Sequence, residues 1–405
     1  MINIAVLGYG TVGSGVVEVL NTNQDSINKK AGEEINIKYV LDLRDFPGDP
    51  IQEKIVHDFN VVLNDDDIKI VVEVMGGVNP AYSFVKQCLE AGKSVCTSNK
   101  ELVAKYGPEL LQIARDKNIN FLFEASVGGG IPIIRPLNSS LTADEIHEIT
   151  GILNGTTNYI LSKMTDEGWE FEDALKKAQE FGYAERNPEA DIEGYDACRK
   201  IAILSSLAFG NHVDYEDIYT EGISKISARD IQYSKKLGMA IKLLADSKRD
   251  GDNFYAMVAP FMIAKSHPLY SVNDVFNGIF VNGNVIGDVM FYGSGAGKLP
   301  TASAVVADVV DATKHLKRNV MSFWSSKKLE LTSIENAKRR FFVRIKGSEA
   351  DLLSKIEAAF GKVEVTALED VKDEFGFMTQ VMTEKQYHEV AGKFDSILSM
   401  IRVEG

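Results

Sequence analysis

The stretch that most limits how this chain can fold is its first two dozen residues. The apolar run Ile2–Leu7 ends directly on Gly8-Tyr9-Gly10-Thr11-Val12-Gly13, and a helical pattern follows at once. A strand that must turn into a helix within a few residues needs glycine at the turn. Gly8 and Gly10 allow the tight turn and let a pyrophosphate approach the backbone, and Gly13 lets the helix pack close to the strand. The helix start adds free amides and a positive dipole end. The spacing alone is a weak signal, and a purely structural turn is its bland alternative. Set between strand and helix, it predicts a dinucleotide cradle formed by Gly8, Gly10, Thr11, Val12 and Gly13.

The pattern continues in kind. Strand-like runs at Ile35–Leu41, 70–75, Ser94–Thr97 and 119–123 alternate with helical ones at 82–91 and 105–117. That rhythm predicts a parallel α/β sheet of the Rossmann type over residues 1–131. At 405 residues the chain exceeds what one core usually supports. Residues 132–316 read as a second, α+β domain for substrate and dimerisation. Its mixed sheet is expected to use strands at 145–153, 254–264, 278–281 and 285–291, and a helix at 302–315 to return to the first domain. Residues 317–339 read as a charged linker. Residues 340–405 read as strand, helix, strand, strand, helix, with the last helix over 384–400, a small module similar to an ACT fold.

Charge and cysteines narrow the function. A formal charge of −14 argues against nucleic acid or an anionic membrane as partner. Cys88, Cys96 and Cys198 are too scattered for a disulfide framework or a metal knuckle, and the six histidines have no ligand spacing. The start on a strand, without a basic-then-apolar leader, points to a reducing cytoplasm.

The chemistry concentrates in Gly182-Tyr183-Ala184-Glu185-Arg186-Asn187-Pro188-Glu189-Ala190-Asp191 and the helix that follows. Asp196 and Lys200 stand four residues apart, on one face of a helix whose next turns are apolar. An ordinary helix would make this a surface ion pair. At the mouth of a buried helix the ammonium loses water, and a carboxylate-held ammonium suits proton delivery to a carbonyl oxygen. Glu185 and Asp191 are placed to hold a substrate ammonium, with a helix cap as the alternative for Asp191. Ser98 and Lys100 follow a strand whose end faces the ligand crevice, with a solvated lysine at a helix start as the alternative for Lys100. Gly155 and Thr156, in Asn154-Gly155-Thr156-Thr157, open a helix whose amides suit a carboxylate; the same residues make a good cap. Asp42 suits an NAD ribose and Arg44 an NADP phosphate, so cofactor choice stays open between the two. Glu124 with the glycines at 128–130 suits either a hinge or a monovalent cation among carbonyl oxygens.

Six segments in this order resemble homoserine dehydrogenases: GYGTVGSGV, SNKELVA, EASVGGGIPIIRPL, GILNGTTNYIL, GYAERNPEADIEGYDACRKIAIL and YGSGAGKLPTASAVVADVV. The resemblance spans roughly residues 1–316. The resemblance implies reduction of aspartate β-semialdehyde to homoserine with NAD(P)H, Lys200 as proton donor supported by Asp196, and Lys100 near cofactor and substrate. It also implies substrate contacts from Glu185 and Asp191, and a sodium site at Glu124 with the carbonyls of Val127, Gly129 and Ile131. Gly295 and Gly297 would approach the nicotinamide. A homodimer or homotetramer is implied. Two departures stand out: LDLRD where relatives read V-R-D, and Gly347-Ser348-Glu349-Ala350 where ACT tails carry a proline-containing turn. Rival readings are a reductase of a related amino-acid semialdehyde and a non-catalytic sensor of NAD and amino acids.

Overall fold

The structure, a computed structural model, describes residues 1–404. Contacts sort the chain into two compact units. The first comprises Met1–Glu145, Ala202–Tyr215 and Phe291–Leu329; the second comprises Ile146–Ile201, Glu216–Met290 and the chain from residue 330 onward.

The first unit is built on a six-stranded sheet of β1 (Ile2–Leu7), β2 (Ile35–Leu41), β3 (Ile55–Val56), β4 (Ile68–Glu73), β5 (Ser94–Thr97) and β6 (Phe121–Leu122), in the order β3-β2-β1-β4-β5-β6. Every pairing is parallel. Such a sheet is covered on both faces, which explains why Ile4–Leu7 and Ile70–Val72 are unbroken apolar runs with no exposed surface. Strand order reverses between β1 and β4, which opens the crevice at their carboxyl ends where ligands bind in such folds. The Lys298–Lys314 helix joins this core through Ala302, Val305 and Val309, beside Ile4 and Val72, as the sequence led us to expect. It lies so close to the Thr11–Thr22 helix that a Cβ on Gly15 would sit 2.9 Å from the Lys298 carbonyl oxygen. The helix expected at 105–117 begins earlier, at Lys100, because the Asn99 side chain caps it by accepting from the Leu102 amide. Part of the expected linker is packed: Trp324 is 3% exposed, its ring filling the space a side chain on Gly107 would need.

The second unit carries an 11-stranded mixed sheet. Its main strands are β7 (Ile146–Ile152), β8 (Met239–Asp250), β9 (Asn253–Ala264), β10 (Phe276–Gly283), β11 (Gly287–Ser294), β12 (Lys338–Lys346), β13 (Glu364–Thr366), β14 (Glu374–Met378) and β15 (Ile397–Glu404). They run in the order β11-β10-β7-β8-β9-β15-β12-β14-β13. Two expectations need correction. β8, absent from the sequence reading, is a central strand hydrogen-bonded along its whole length to β9. The final helix covers only Glu384–Ala391, and residues expected to extend it form β15 instead. With that strand the tail is βαββαβ, ordered β15-β12-β14-β13. β15 also pairs in parallel with β9, Phe261 opposite Arg402, so the tail's sheet continues that of the central segment.

Candidate active site

In the first unit the crevice is built mostly from backbone. A Cβ on Gly13 would lie 1.9 Å from the Gly8 carbonyl oxygen, and one on Gly8, where φ is +100°, would press on Val74 and Met75. A Cβ on Gly10 would meet nothing within 4 Å, so the space in front of the helix start is open. A cleft of about 530 Å³ lies here, lined by Gly8, Gly10, Asp42, Arg44 and His57 among others. Asp42 accepts from the Tyr9 amide at 2.8 Å and is gripped by Arg44 through Nε at 2.9 Å and Nη2 at 3.0 Å. Those Arg44 hydrogen bonds hold its carboxyl well below the usual range. His57 reaches the Asp42 carbonyl oxygen at 2.7 Å, and that contact raises its basicity. Arg44 thus grips the carboxylate of Asp42, while His57 sits on its backbone carbonyl.

A buried carboxylate that the sequence reading missed organises the neighbouring loops. Glu73, at the end of β4, accepts from the Met75 amide at 2.8 Å and from Thr97 Oγ1 at 2.6 Å. Burial raises its pKa. Thr97 Oγ1 accepts from the Asn99 amide, and Asn99 Nδ2 donates to the Gly77 carbonyl. This ties the loops after β4 and β5 together and sets where Ser98 and Lys100 stand. A lone glutamate closing the apolar run Ile70-Val71-Val72 was the available signal.

Glu124 caps the helical turn after it, accepting from the amides of Ile133 (2.6 Å), Ile134 (2.9 Å) and Arg135 (2.8 Å). Its own amide donates to Asp308, which burial and the Glu124 charge push up to about 8. The loop through Val127, Gly129 and Ile131 turns on left-handed glycines at 128 and 129. A Cβ on Gly129 would be 2.5 Å from Gly295, so this loop touches the one that carries Gly295 and Gly297. Among the described residues no group of three or more His, Cys, Asp or Glu is arranged to hold a metal.

In the second unit the expected pair is buried, not superficial. Lys200 is 8% and Asp196 4% exposed. Lys200 Nζ donates to Asp196 Oδ2 and to the Leu153 carbonyl oxygen, both at 2.7 Å. Asn154 completes the cluster: Nδ2 donates to Asp196 Oδ2 at 2.9 Å and to Asp191 Oδ1 at 2.7 Å, while Oδ1 caps the Gly155–Glu167 helix by accepting from the Thr157 amide. Asp191 is therefore not a helix cap; it lies inside the one-turn Glu189–Ile192 helix. Gly155 has no room for a side chain, since a Cβ would be 2.8 Å from the Val275 carbonyl oxygen, and Thr156 Oγ1 donates to the Tyr183 carbonyl oxygen. Glu185, two residues beyond that tether, has an exposed side chain, and its carbonyl oxygen accepts from Gln179 Nε2. Two carboxylates against one ammonium leave the cluster suited to a cationic group of a ligand.

An open helix start over a parallel-sheet crevice receives a dinucleotide, and a desolvated ammonium aimed by a carboxylate gives a proton to oxygen. The fold and these two constellations define a nicotinamide-dependent oxidoreductase. The family model for homoserine dehydrogenase matches residues 132–310, and that for the homoserine dehydrogenase NAD-binding domain matches residues 8–124. Homoserine dehydrogenase of Synechocystis is 48% identical over 317 residues, 76% of this chain and 73% of that one. The crystal structure of a homoserine dehydrogenase from Thiobacillus denitrificans superposes with a TM-score of 0.93 at 36% identity, covering 100% of this chain and 98% of the other. A hyperthermophilic archaeal homoserine dehydrogenase in complex with NADPH aligns over 77% of this chain and 97% of its own, with 28% identity and a TM-score of 0.65. The chain belongs to the homoserine dehydrogenase family.

Proposed function

We propose that this chain interconverts L-aspartate 4-semialdehyde and L-homoserine, with Lys200 as the proton donor of the reductive direction. The observation that carries the assignment is the buried Lys200 ammonium fixed between Asp196 and the Leu153 carbonyl. When bound, the nicotinamide cofactor supplies hydride to the carbonyl carbon and takes it back in the reverse direction. Lys200 Nζ gives its proton to the carbonyl oxygen as negative charge develops there, and Asp196 and Leu153 hold that amine in place. Asp191, with Glu185, receives the substrate ammonium, and the amides that open at Gly155 and Thr156 receive its carboxylate. Lys100, at a helix start on the crevice side of β5, orients cofactor and substrate.

The Asp42–Arg44 pair supports use of both cofactors. NAD would take the Asp42 carboxylate for its ribose, and NADP would draw Arg44 and His57 to its phosphate. A monovalent cation held by Glu124 and the carbonyls of Val127, Gly129 and Ile131 is part of the same reading. The exposed Val285 and Met290 on or beside the edge strand β11 support a homodimer or homotetramer. The βαββαβ tail supports an ACT-like module. Three cysteines, all buried and outside any disulfide, fit a cytoplasmic enzyme, and no helix among the described residues is long and apolar enough to cross a membrane.

The deciding experiment follows absorbance at 340 nm with homoserine, run separately with NAD and NADP. Turnover with either supports the assignment. Cofactor binding without turnover on homoserine overturns it and leaves a sensor or a reductase of another semialdehyde.

A further inference from the structure

The tail's last strand reaches the segment that carries Asp191. Arg402, on β15, is 1% exposed. Its guanidinium forms a two-point pair with Glu384, Nε to Oε1 at 2.7 Å and Nη2 to Oε2 at 3.1 Å. Its remaining arm, Nη1, donates to Glu221 Oε2 at 2.6 Å. Glu221 is thus held at both ends, because its amide donates to the Val258 carbonyl oxygen of β9 at 2.8 Å.

The residues next to Glu221 bear directly on the short helix of Asp191. The Ile223 amide donates to the Ile192 carbonyl oxygen at 2.8 Å. Gly222 lies flush on the same turn, where a Cβ would be 2.2 Å from the Ile192 carbonyl oxygen and 2.4 Å from Glu193 Cα. Gly194, in a left-handed conformation at φ +83°, leaves only 3.1 Å between a would-be Cβ and Thr220 Cγ2. Two segments locked by backbone in this way move as one, so whatever sets Glu221 also sets Asp191.

Resting on the proposed reaction, we infer that Arg402 and Glu221 are positioning residues for substrate binding: the tail's terminal strand fixes the Glu221–Ile223 loop, and that loop fixes Asp191 against Asn154. Neither residue touches the reacting atoms. Their contribution is to keep a carboxylate at the place where the substrate ammonium arrives, and it reaches the site from a part of the chain beyond the matched catalytic segment. Charge-assisted hydrogen bonds from a buried arginine have the directionality that such a strut needs.

The test uses the full-length chain with Glu221→Ala, a change that leaves the buried Arg402–Glu384 pair intact, and Glu221→Gln, which keeps length and acceptor. Two readouts are taken: steady-state kinetics with homoserine, and hydrogen–deuterium exchange of the amides at 189–194. Glu221→Ala is expected to raise the homoserine KM five- to tenfold with a smaller change in kcat, to leave the cofactor KM within twofold, and to speed exchange at 189–194. Glu221→Gln is expected to recover most of both effects. Gly222→Ala, which forces the two segments apart while leaving the Arg402–Glu221 pair in place, is expected to mimic Glu221→Ala. Unchanged exchange at 189–194 in Glu221→Ala overturns the strut, as does a homoserine KM within twofold of the parent in both disruptive variants. If the parent itself does not turn over homoserine, the proposed function fails, while the exchange measurement still decides whether Glu221 holds the Asp191 segment.

Discussion

The glycine cradle of the first unit and the acid–ammonium cluster of the second are built by opposite means. The cradle is contiguous, made of backbone, and works by what is missing: side chains at Gly8, Gly10 and Gly13. The cluster is discontinuous, made of side chains, and works by what is present: Asp191 and Asp196 gathered by an asparagine some forty residues away, and Lys200 held by Asp196 and the Leu153 carbonyl. A backbone cradle recognises shape and charge of a phosphate; a side-chain cluster can hold and release a proton. The two should therefore respond to substitution in separable ways.

The largest separation is expected from Lys200→Ala. Homoserine turnover should fall a hundredfold or more, within the range of roughly 10²–10⁴ for loss of a positioned acid or base, with cofactor affinity within twofold. Turnover within about threefold of the parent, less than about 1 kcal/mol of barrier, would remove Lys200 from the chemistry. Next comes the stability of the second unit, where Lys242 is the other buried lysine. It is 3% exposed and donates to the Val272 carbonyl oxygen at 2.6 Å and to Asn273 Oδ1 at 2.8 Å. Burial brings its pKa down to about 8, against the opposing pull of Asp166 and Asp274. Between pH 8 and the ordinary lysine range, the unfolded chain holds a proton that the folded chain has lost, so stability rises with pH there. Denaturation titrations should show the parent gaining on Lys242→Met across that window by an amount on the order of 3 kcal/mol. A pH-independent difference between the two would mean that Lys242 stays charged. Lys200 has a carboxylate beside it and Lys242 is held by neutral oxygens; burial alone does not make a lysine a proton donor.

The mirror experiment is Gly10→Ala. The added methyl has free space in the protein, so the melting temperature should hardly move, while cofactor affinity by calorimetry should drop at least tenfold, about 1.4 kcal/mol. Undiminished affinity would show that the pyrophosphate does not lie over Gly10. A finer effect is expected from Arg44→Ala, which should raise the KM for NADP several-fold and that for NAD less. Equal changes for both would break the link between this arginine and a 2′-phosphate.

How much of this was readable in the sequence follows the same divide. Local features were legible: the strand–glycine–helix start, the Asp196–Lys200 spacing, and the return of the Lys298–Lys314 helix to the first core. Features that depend on distant partners were not. Met239–Asp250 is rich in good helix formers, and only pairing on both sides makes it a strand. Residues 397–400 continue a helical pattern past Ala391, yet the chain extends because β9 and β12 offer edges on either side. Asn154 read as a turn residue, and nothing near it announces that its amide bridges two carboxylates.

What the sequence determined by itself was the strand–glycine–helix start, the Asp196–Lys200 pair and the family, because each rests on short runs of residues whose geometry the local backbone dictates. Tertiary structure alone decided which oxygen atoms hold Lys200, where Asp191 stands, and that the tail's last strand lies beside the central sheet. Those depend on segments brought together by burial and strand pairing, and no local pattern encodes the distance between them.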